Sequence, residues 1–452
     1  MRIFIKYAGF EFSSDNMKNL HPIRMFAVAA ILAFSIQFSA AQNPISPSGT
    51  FIPDPSARVG QDDKMYVYGS LDTSDGTYCS NRYHLLYSDD LRDWKLVKDI
   101  FTCGEPLYAP DVCFAGGKCH LFYDCPGGSE WTAVSDNPEG PFEDISRIEG
   151  PDQIDPCIFI DDDGQAYYFW GQISAKGAKM NPDLKTLDLS TFKDSLVTEG
   201  EHWFHEGGFV FKRGKFYYFV YASLRRRNKP TCLSYAMSTS PLGPYEYKGE
   251  IIDNAGCDPG VWNNHGSVVE YKGKWYVFYH RSTHGDRFMR KACVEPITFR
   301  ENGTIVEAEM TSQGAGAPLD AFSTTAARRA CLLEGEVRIT LDTDNPGREI
   351  LTHAGNGDWA AFKYFSFNGR QPRRAIVRVR PKNGGRIWIG FDQTYAGEKG
   401  GTDVPAGNGK RWKELSFDID GPGDTGKTHA VFVHFSGEKD CELFDLDWIK
   451  FE

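Results

Sequence analysis

Three acidic residues, Asp54, Asp155 and Glu206, lie far apart in the chain but occupy similar positions ahead of aromatic segments. Prolines flank Asp54 and follow Asp155, and a proline holds the residue before it in an extended conformation. Carboxyl groups gathered in one cleft cannot all ionise easily, because repulsion and burial raise the pKa of at least one. One group can then donate a proton while another remains a base. If the fold brings these residues together, they can perform acid–base chemistry.

The three carboxylates belong to a repeat that recurs five times along the chain. Each repeat places a polar residue ahead of a tyrosine-rich strand, and the polar residues are Asp54, Asp111, Asp155, Glu206 and His265. The strands are residues 65–69, 119–123, 167–171, 216–220 and 275–279. A period of about 40–60 residues built from several short strands is typical of β-propeller blades. We therefore expect five blades whose innermost strands bring the polar residues to a central channel. A lone Asp-Pro is more often a simple turn, so this interpretation depends on the shared position.

The composition is that of a folded protein with few features suited to nucleic acid. The net charge is −11, and the only basic block is Arg225–Arg227, which we interpret as a solvated loop. This charge balance argues against a nucleic-acid partner.

The N-terminus has the order of a cleaved export signal. Lys18 and Arg24 precede an apolar run, Met25–Phe38, and small residues follow at 39–41. The run is too short to span a bilayer comfortably, so we expect a signal peptide at residues 1–41, a periplasmic or secreted protein and no membrane insertion. Export permits disulfides. The count of 11 cysteines leaves at least one thiol unpaired, and we expect most cysteines to be buried or disulfide-linked.

A change of character divides the chain into two predicted domains. The strand-and-turn pattern of the repeats ends near residue 305, and a Gly/Ala/Pro-rich linker follows at residues 314–320. The rest is β-rich but lacks the repeat. The sequence thus predicts an all-β protein, with a five-bladed β-propeller at residues 42–318 and a β-sandwich of the jelly-roll type at residues 319–452.

The ordered motifs of the first domain resemble those of glycoside hydrolase family 43, five-bladed propeller enzymes acting on arabinose- and xylose-containing polysaccharides. The motifs are Pro53-Asp54-Pro55, Ala109-Pro110-Asp111-Val112, Ile154-Asp155-Pro156, Glu206-Gly207 and Asn264-His265-Gly266-Ser267-Val268. The resemblance implies that Asp54 is the general base that activates water. It implies that Asp155 tunes and orients the acid, and that Glu206 is the general acid. It also implies inversion at the anomeric carbon, which needs room for a water molecule between base and acid.

The same resemblance implies roles for four further residues. Tyr108, where many members have tryptophan, Asp111 and Arg281 would contact substrate. His265 would lie near a central structural calcium ion through water. The alternatives are an ordinary hydrogen-bonded histidine and, for Arg281, a surface salt bridge. We expect no organic cofactor.

The second domain resembles a family 6 carbohydrate-binding module. The matching segments are Asn356-Gly357-Asp358-Trp359 and Asp445-Leu446-Asp447-Trp448-Ile449. Where members carry a calcium-holding Glu-x-Glu pair, this chain has Ala326-Ala327-Arg328, and His353 replaces the usual sugar-stacking aromatic residue. Aromatic stacking supplies much of the affinity of such sites. We therefore expect weak sugar binding or none.

Together these observations predict an exported, inverting exo-glycosidase of plant cell-wall polysaccharide breakdown. An α-L-arabinofuranosidase is the first choice, with a β-xylosidase or a β-galactofuranosidase as alternatives. A non-catalytic sugar-binding propeller is the alternative from a different class, although the presence of all three carboxylates argues against it. The expected partner is an arabinose- or xylose-containing oligo- or polysaccharide.

Overall fold

The computed structural model describes residues 42–452, together with two short paired strands, β1 (Lys6–Tyr7) and β2 (Phe10–Glu11). The rest of the predicted signal peptide lies outside the described residues. None of the helices in the described part of the chain is long and apolar enough to cross a membrane.

Five four-stranded antiparallel sheets follow one another along the chain. Blade 1 contains β3 (Ser56–Val59), β4 (Met65–Gly69), β5 (Arg82–Ser88) and β6 (Lys95–Thr102). Blade 2 contains β7 (Asp111–Ala115), β8 (Lys118–Cys125), β9 (Ser129–Ser135) and β10 (Glu143–Arg147). Blade 3 contains β11 (Cys157–Ile160), β12 (Ala166–Trp170), β13 (Ser174–Met180) and β14 (Leu187–Thr198). A single helical turn, α1 (Glu199–His202), leads to blade 4, which contains β15 (Phe204–Arg213), β16 (Phe216–Ser223), β17 (Cys232–Ser238) and β18 (Glu246–Asp253). Blade 5 contains β19 (Ser267–Tyr271), β20 (Lys274–Thr283), β21 (Asp286–Phe299) and β22 (Ile305–Val306).

The first strand of each blade faces the channel, and the tyrosine-rich segment is the second strand. The first strands neighbour one another in a closed ring, in the order β3, β7, β11, β15, β19 and back to β3. At the closure, the Ala57 N–H donates to Ser267 Oγ (2.9 Å), which donates in turn to the Pro55 carbonyl (2.8 Å). This arrangement confirms the five-bladed propeller.

The aromatic strands are apolar on both faces because blades cover both sides of each sheet. Every residue of β4 and of β12 is buried. At least one aromatic pair joins each blade to the next, and five such pairs have ring-centroid distances of 5.2–6.5 Å: Tyr83–Tyr123, Phe122–Tyr168, Phe169–Phe219, Phe211–Trp275 and Trp94–Phe278. These contacts explain why the sequences of these strands are continuously apolar and aromatic and do not alternate between apolar and polar residues.

Two six-stranded sheets form the C-terminal β-sandwich, as predicted. One sheet contains β23 (Leu319–Asp320), β25 (Leu332–Glu334), β28 (Trp359–Ser366), β30 (Gly385–Phe391), β31 (Gly400–Val404) and β33 (Thr428–Ser436). The other contains β24 (Thr325–Ala326), β26 (Arg338–Asp342), β27 (Asn345–Thr352), β29 (Arg374–Pro381), β32 (Lys413–Asp418) and β34 (Phe444–Phe451). A 3-10 turn, Ala327–Arg329, precedes β25. The inward side chains of the two sheets form a single apolar core.

The chain immediately after the predicted cleavage site is anchored between the two domains. The Asn43 N–H donates to the Ser312 carbonyl (3.0 Å), and its side-chain amide donates to Glu295 Oε1 (2.8 Å). Arg329 binds the carbonyl oxygen of Pro44 at 2.7 Å. Residues 42–44 therefore form part of the folded body.

Most of the cysteines are buried as free thiols. All eleven lie in the described region, where none is paired and nine are buried. This confirms the expectation that most are buried or linked.

Candidate active site

A cavity of about 370 Å³ opens at one end of the propeller channel. It collects residues from all five blades and their connecting loops. Those that line it are Asp54, Tyr78, Tyr108, Ala109, Ile154, Asp155, Gln172, His205, Glu206, Trp262, Asn263, His265, Arg287 and Phe288. The structure thus brings the three predicted catalytic residues together with Tyr108 and His265.

Asp54 lies in the loop before β3 and is held by a dense set of donors. Its Oδ1 accepts from Arg290 Nη1 (3.0 Å), and its Oδ2 accepts from Ser70 Oγ (2.8 Å). Burial, the largest single effect, would raise the pKa of Asp54, but Arg290, the two neighbouring histidines and the Ser70 hydrogen bond together outweigh it, and the pKa lies below its usual value. The neighbouring His280 is neutral, because burial lowers its pKa to about 3. The cation that keeps Asp54 ionised is therefore Arg290.

Arg290 is fully buried and bridges two carboxylates. In addition to Asp54, it binds Asp72 through Nε (2.9 Å) and Nη2 (3.1 Å). Its guanidinium lies 4.7 Å from the centre of the Tyr78 ring. A bidentate pair of this kind fixes the direction of the guanidinium as well as its charge. Asp72 therefore orients the group that holds the candidate base.

Asp155 and Glu206 form a second, differently tuned carboxyl pair. Asp155 is buried, and its Oδ2 accepts from the Gly207 N–H at 2.9 Å. Burial, then the neighbouring Glu206 and Asp124, raise the pKa of Asp155. Glu206 has 13% of its side chain exposed, and its Oε2 accepts from Gln172 Nε2 at 2.9 Å. The raised pKa of Asp155 keeps a proton on that carboxyl at pH values where an isolated aspartate would have lost it.

The backbone at two of these residues differs from the expectation. Asp54 and Asp155 were predicted to be extended, yet both have positive φ values, 54° and 63°. Such values are uncommon for residues other than glycine, although aspartate tolerates them better than most. The prediction was wrong because the restriction imposed by a following proline is weaker than the hydrogen bonds that hold each carboxylate.

An aromatic wall forms one side of the cavity. The Tyr78 ring lies 5.1 Å from Phe288, 6.0 Å from Tyr108 and 6.3 Å from Trp262. The Trp262 indole N–H donates to the Arg287 carbonyl at 2.8 Å, which fixes the ring at the rim. Such a wall offers apolar ring faces on which a sugar can stack.

His265 lies beside Asp54, with 3.7 Å between its Nδ1 and Asp54 Oδ1. Burial lowers the pKa of His265, so it is neutral near pH 7. Calcium takes six to eight oxygen ligands. The described residues contain no group of three His, Cys, Asp or Glu side chains placed to hold a metal ion. One imidazole and one carboxylate do not form a calcium site by themselves, so calcium binding at His265 stays a prediction.

Two of the predicted substrate contacts lie elsewhere. Asp111 is buried in an ion pair with Arg58 and also accepts from Ser56 Oγ (2.5 Å) and the Ile158 N–H (2.8 Å). Arg281 is buried, and its guanidinium binds Tyr279 Oη (2.7 Å) and pairs with Glu295 (3.5 Å). Neither residue lines the cavity. The expected substrate contacts through Asp111 and Arg281 are therefore corrected to structural ion pairs.

Several residues at the site were missed by the sequence analysis: Ser70, Asp72, Tyr78, Gln172, Trp262, His280, Phe288 and Arg290. The one available signal was the pair Arg290-Lys291, two adjacent charges in the otherwise apolar stretch 288–294 of strand β21. Charges in a buried strand need partners. This signal pointed to Arg290 but could not name Asp54 or Asp72.

The sandwich motif that resembles a binding module has a structural function here. Asp358 is buried, and its Oδ2 accepts from the N–H groups of Gly355 (2.9 Å), Glu336 (3.1 Å) and Val337 (3.0 Å). The motif therefore joins two loops. His353 is exposed beside it, with its N–H donating to Glu442 Oε1 at 2.8 Å.

Comparison with known proteins places this geometry in a family. Residues 41–305 match Glycosyl hydrolases family 43, and residues 330–452 match Carbohydrate binding module (family 6). A xylosidase/arabinosidase of Thermoclostridium stercorarium is 29% identical, covering 89% of this chain and 97% of the relative. A beta-xylosidase of Xylanibacter ruminicola is 30% identical, covering 51% of this chain and 87% of the relative.

Solved structures show the same fold. A family 43 arabinoxylan arabinofuranohydrolase from Bacillus subtilis has a TM-score of 0.52 at 23% identity, covering 91% of this chain and 99% of that one. A beta-xylosidase/alpha-arabinofuranosidase from a compost metagenome, solved with xylotriose, has a TM-score of 0.51 at 25% identity, covering 59% of this chain and 98% of that one. The chain therefore belongs to glycosyl hydrolase family 43 and hydrolyses O-glycosyl bonds.

Proposed function

We propose that this protein is an inverting, exo-acting α-L-arabinofuranosidase that works on arabinoxylan-type polysaccharides outside the cytoplasm. The observation that carries the proposal is the contrast between two carboxyl environments in one cavity. Arg290 binds Asp54 and helps to hold its pKa below the usual value, whereas burial and the neighbouring Glu206 hold the pKa of Asp155 above the usual value, beside the candidate acid. Inverting hydrolysis requires one carboxylate that is ionised and acts as a base, and one carboxyl group that is protonated and acts as an acid.

In the proposed reaction Asp54 accepts a proton from a water molecule, whose oxygen attacks the anomeric carbon. The bond from that carbon to the leaving oxygen breaks, and Glu206 protonates the leaving oxygen. Gln172 occupies Glu206 Oε2, which leaves Oε1 to carry the transferred proton. Asp155, the carboxyl neighbour of Glu206, is held in place by the Gly207 N–H. The new hydroxyl lies on the opposite face of the sugar, so the configuration inverts.

The size and lining of the cavity support an exo mode. At about 370 Å³ it lies at the small end of the range of ligand pockets. The wall formed by Tyr78, Tyr108, Trp262 and Phe288 can stack against one terminal sugar ring.

The choice of arabinofuranose rests on the names of the relatives that match most of the chain, propeller and sandwich together. The relatives that cover 86–89% of this chain are named xylosidase/arabinosidase or arabinoxylan arabinofuranohydrolase. The relatives named beta-xylosidase or beta-D-galactofuranosidase cover 51–63% of it. A β-xylosidase is the second candidate, because one relative with that name is 30% identical.

A panel of nitrophenyl glycosides tests the substrate. We expect turnover of α-L-arabinofuranoside to exceed that of β-D-xyloside and β-D-galactofuranoside. A preference for xyloside would replace the first candidate by the second, and absence of turnover on every glycoside would refute the proposal.

Glu206→Gln tests the acid role. The amide cannot donate the proton, so we expect turnover of arabinoxylan to fall by about 10²–10⁴-fold. Nitrophenolate leaves without much help, so the loss on the aryl glycoside should be smaller. Glu201→Gln, an exposed change on the nearby helical turn α1, is the matched control and should behave as the parent enzyme. Equal losses on both substrates would argue against an acid.

A further inference from the structure

One hairpin of blade 5 supplies much of the candidate site. Strands β20 and β21 form this hairpin, and its tip is His284 and Gly285. From β21, Arg287 and Phe288 line the cavity, and Arg290 holds Asp54. From β20, His280 Nδ1 accepts the Asp54 N–H at 3.3 Å. Any shift of this hairpin would therefore move the base and the aromatic wall together.

The tip of the hairpin lies against strand β26 of the sandwich. The His284 N–H donates to the Ile339 carbonyl at 2.8 Å, and the Leu341 N–H donates to His284 Nε2 at 3.1 Å. Burial lowers the pKa of His284 to about 4, so the ring is neutral and can accept this bond. Gly285 has a φ of 65°, a left-handed conformation that favours glycine, and a Cβ there would also lie 2.6 Å from Arg338 Nη1. The sandwich thus binds the tip through backbone and side chain together.

A buried ion pair fixes the same strand at a second point. Lys291 follows Arg290, and successive residues of a strand point to opposite faces. Arg290 faces the active site, whereas Lys291 Nζ faces Glu349 Oε1 of β27 (2.5 Å) and the Pro47 carbonyl (2.8 Å). Both charged side chains are at most 1% exposed. A buried charge that loses its partner is strongly destabilised, so this contact resists separation.

We infer that the sandwich is a structural part of the catalytic pocket, because it holds the hairpin that positions Asp54. Glu349, Lys291 and His284 are positioning residues that act through Arg290. Hydrolysis of a small soluble glycoside then depends on the sandwich even where no polysaccharide is bound. This inference rests on the proposed function for its kinetic readout.

The test uses the full-length chain with Glu349→Gln and His284→Ala, which release the hairpin at separate points. Asp403→Asn is the matched control, since it breaks an exposed pair with Arg386 in the same domain. The readouts are kcat and KM on a nitrophenyl glycoside well below the unfolding temperature, and amide hydrogen exchange of residues 284–291. We expect Glu349→Gln to lower kcat by at least tenfold with KM changed less than threefold. Exchange in the hairpin should accelerate, and the control should match the parent.

A compensating variant without charges at this contact tests whether kcat depends on the position of the hairpin or on the charges themselves. Arg328 Nη1 also lies 3.7 Å from Glu349 Oε2. Lys291→Met and Arg328→Met combined with Glu349→Leu therefore replace the whole charged cluster by packed apolar groups, an exchange that is often neutral. We expect it to restore most of the lost kcat. If Glu349→Gln does not fold, His284→Ala decides alone, with an expected loss of at least threefold in kcat. Folded variants with parental kcat and exchange would overturn the inference. If the parent hydrolyses no glycoside, the proposed function fails, and hydrogen exchange in the hairpin still decides the inference.

Discussion

At the scale of single residues, the charge state of Asp54 depends on one buried arginine. Arg290 contacts both Asp54 and Asp72, and all three side chains are at most 5% exposed. One cation thus serves two carboxylates in a poorly solvated site. The two histidines beside Asp54 are neutral because burial lowers the pKa of each. No other described cation contacts the candidate base.

Replacing Arg290 with lysine should shift the acidic limb of the kcat/KM profile to higher pH. A lysine is a point charge that cannot bind both carboxylates in the bidentate manner of arginine. The pKa of Asp54, now below its usual value, would rise, so the base would become protonated at higher pH. We expect a shift of about one pH unit, which corresponds to about 1.4 kcal/mol. Arg287→Lys, in the same strand but without contact to Asp54, should change KM and leave the limb in place. An unmoved limb in Arg290→Lys would contradict this account.

At the scale of elements, the sequence predicted the five blades correctly, but it did not predict which side chains of each strand face the cavity. The repeat of polar residue and tyrosine-rich strand identified all five blades, because blade packing buries these strands on both faces. Arg281 was assigned to the site, whereas its neighbour His280 faces Asp54. The two residues point to opposite faces of β20, and sequence alone does not say which face meets the channel.

Long-range pairs account for the other misses. Arg290 is 236 residues from Asp54 in the chain, and Asp111 pairs with Arg58, 53 residues before it. The motif around Asp111 has the same form as the motifs around the catalytic candidates, so spacing could not separate a carboxylate that lines the cavity from one buried in an ion pair away from it. Only the packing of neighbouring blades distinguishes them.

Gly207 joins the two carboxyl groups of the acid pair through the backbone. Its φ is 69°, and a Cβ there would lie 3.1 Å from the His265 ring. We expect Gly207→Ala to lower kcat at least tenfold, because the N–H that binds Asp155 and the adjacent Glu206 would both shift. Gly214→Ala is the matched control, with a φ of 59° and open space around the Cβ position. It should cost about 1–2 kcal/mol of stability, measured by urea unfolding, and leave kcat unchanged. Equal kcat in both variants would show that the Gly207 contact is dispensable.

At the scale of the whole molecule, the sandwich is tied to the propeller more firmly than a tethered module would be. The Arg329 contact with the Pro44 carbonyl, the His284 contacts and the Lys291–Glu349 pair all lie between the two domains. The sandwich has few side chains suited to binding sugar. Asp358 binds backbone N–H groups of the sandwich itself, and His353 occupies the position where the resemblance places a stacking aromatic residue.

We therefore predict that the sandwich adds little to polysaccharide binding. In the Glu206→Gln background, which removes turnover, His353→Ala should leave the retention of the full-length chain on insoluble arabinoxylan unchanged. Trp262→Ala, which removes a ring from the cavity wall, should weaken retention and serves as the positive control. A loss of retention in His353→Ala as large as that in Trp262→Ala would reveal a working site on the sandwich.

The central claim, that Asp54 and Glu206 act as base and acid on opposite faces of the bond, is tested most directly by the stereochemistry of the first product. Proton NMR can follow the anomeric signal of the released sugar before mutarotation. The account predicts that the first sugar formed from an α-L-arabinofuranoside is the β-anomer. Initial release of the α-anomer would mean that a carboxylate attacks the sugar directly, and would contradict the assignment of Asp54 as a base.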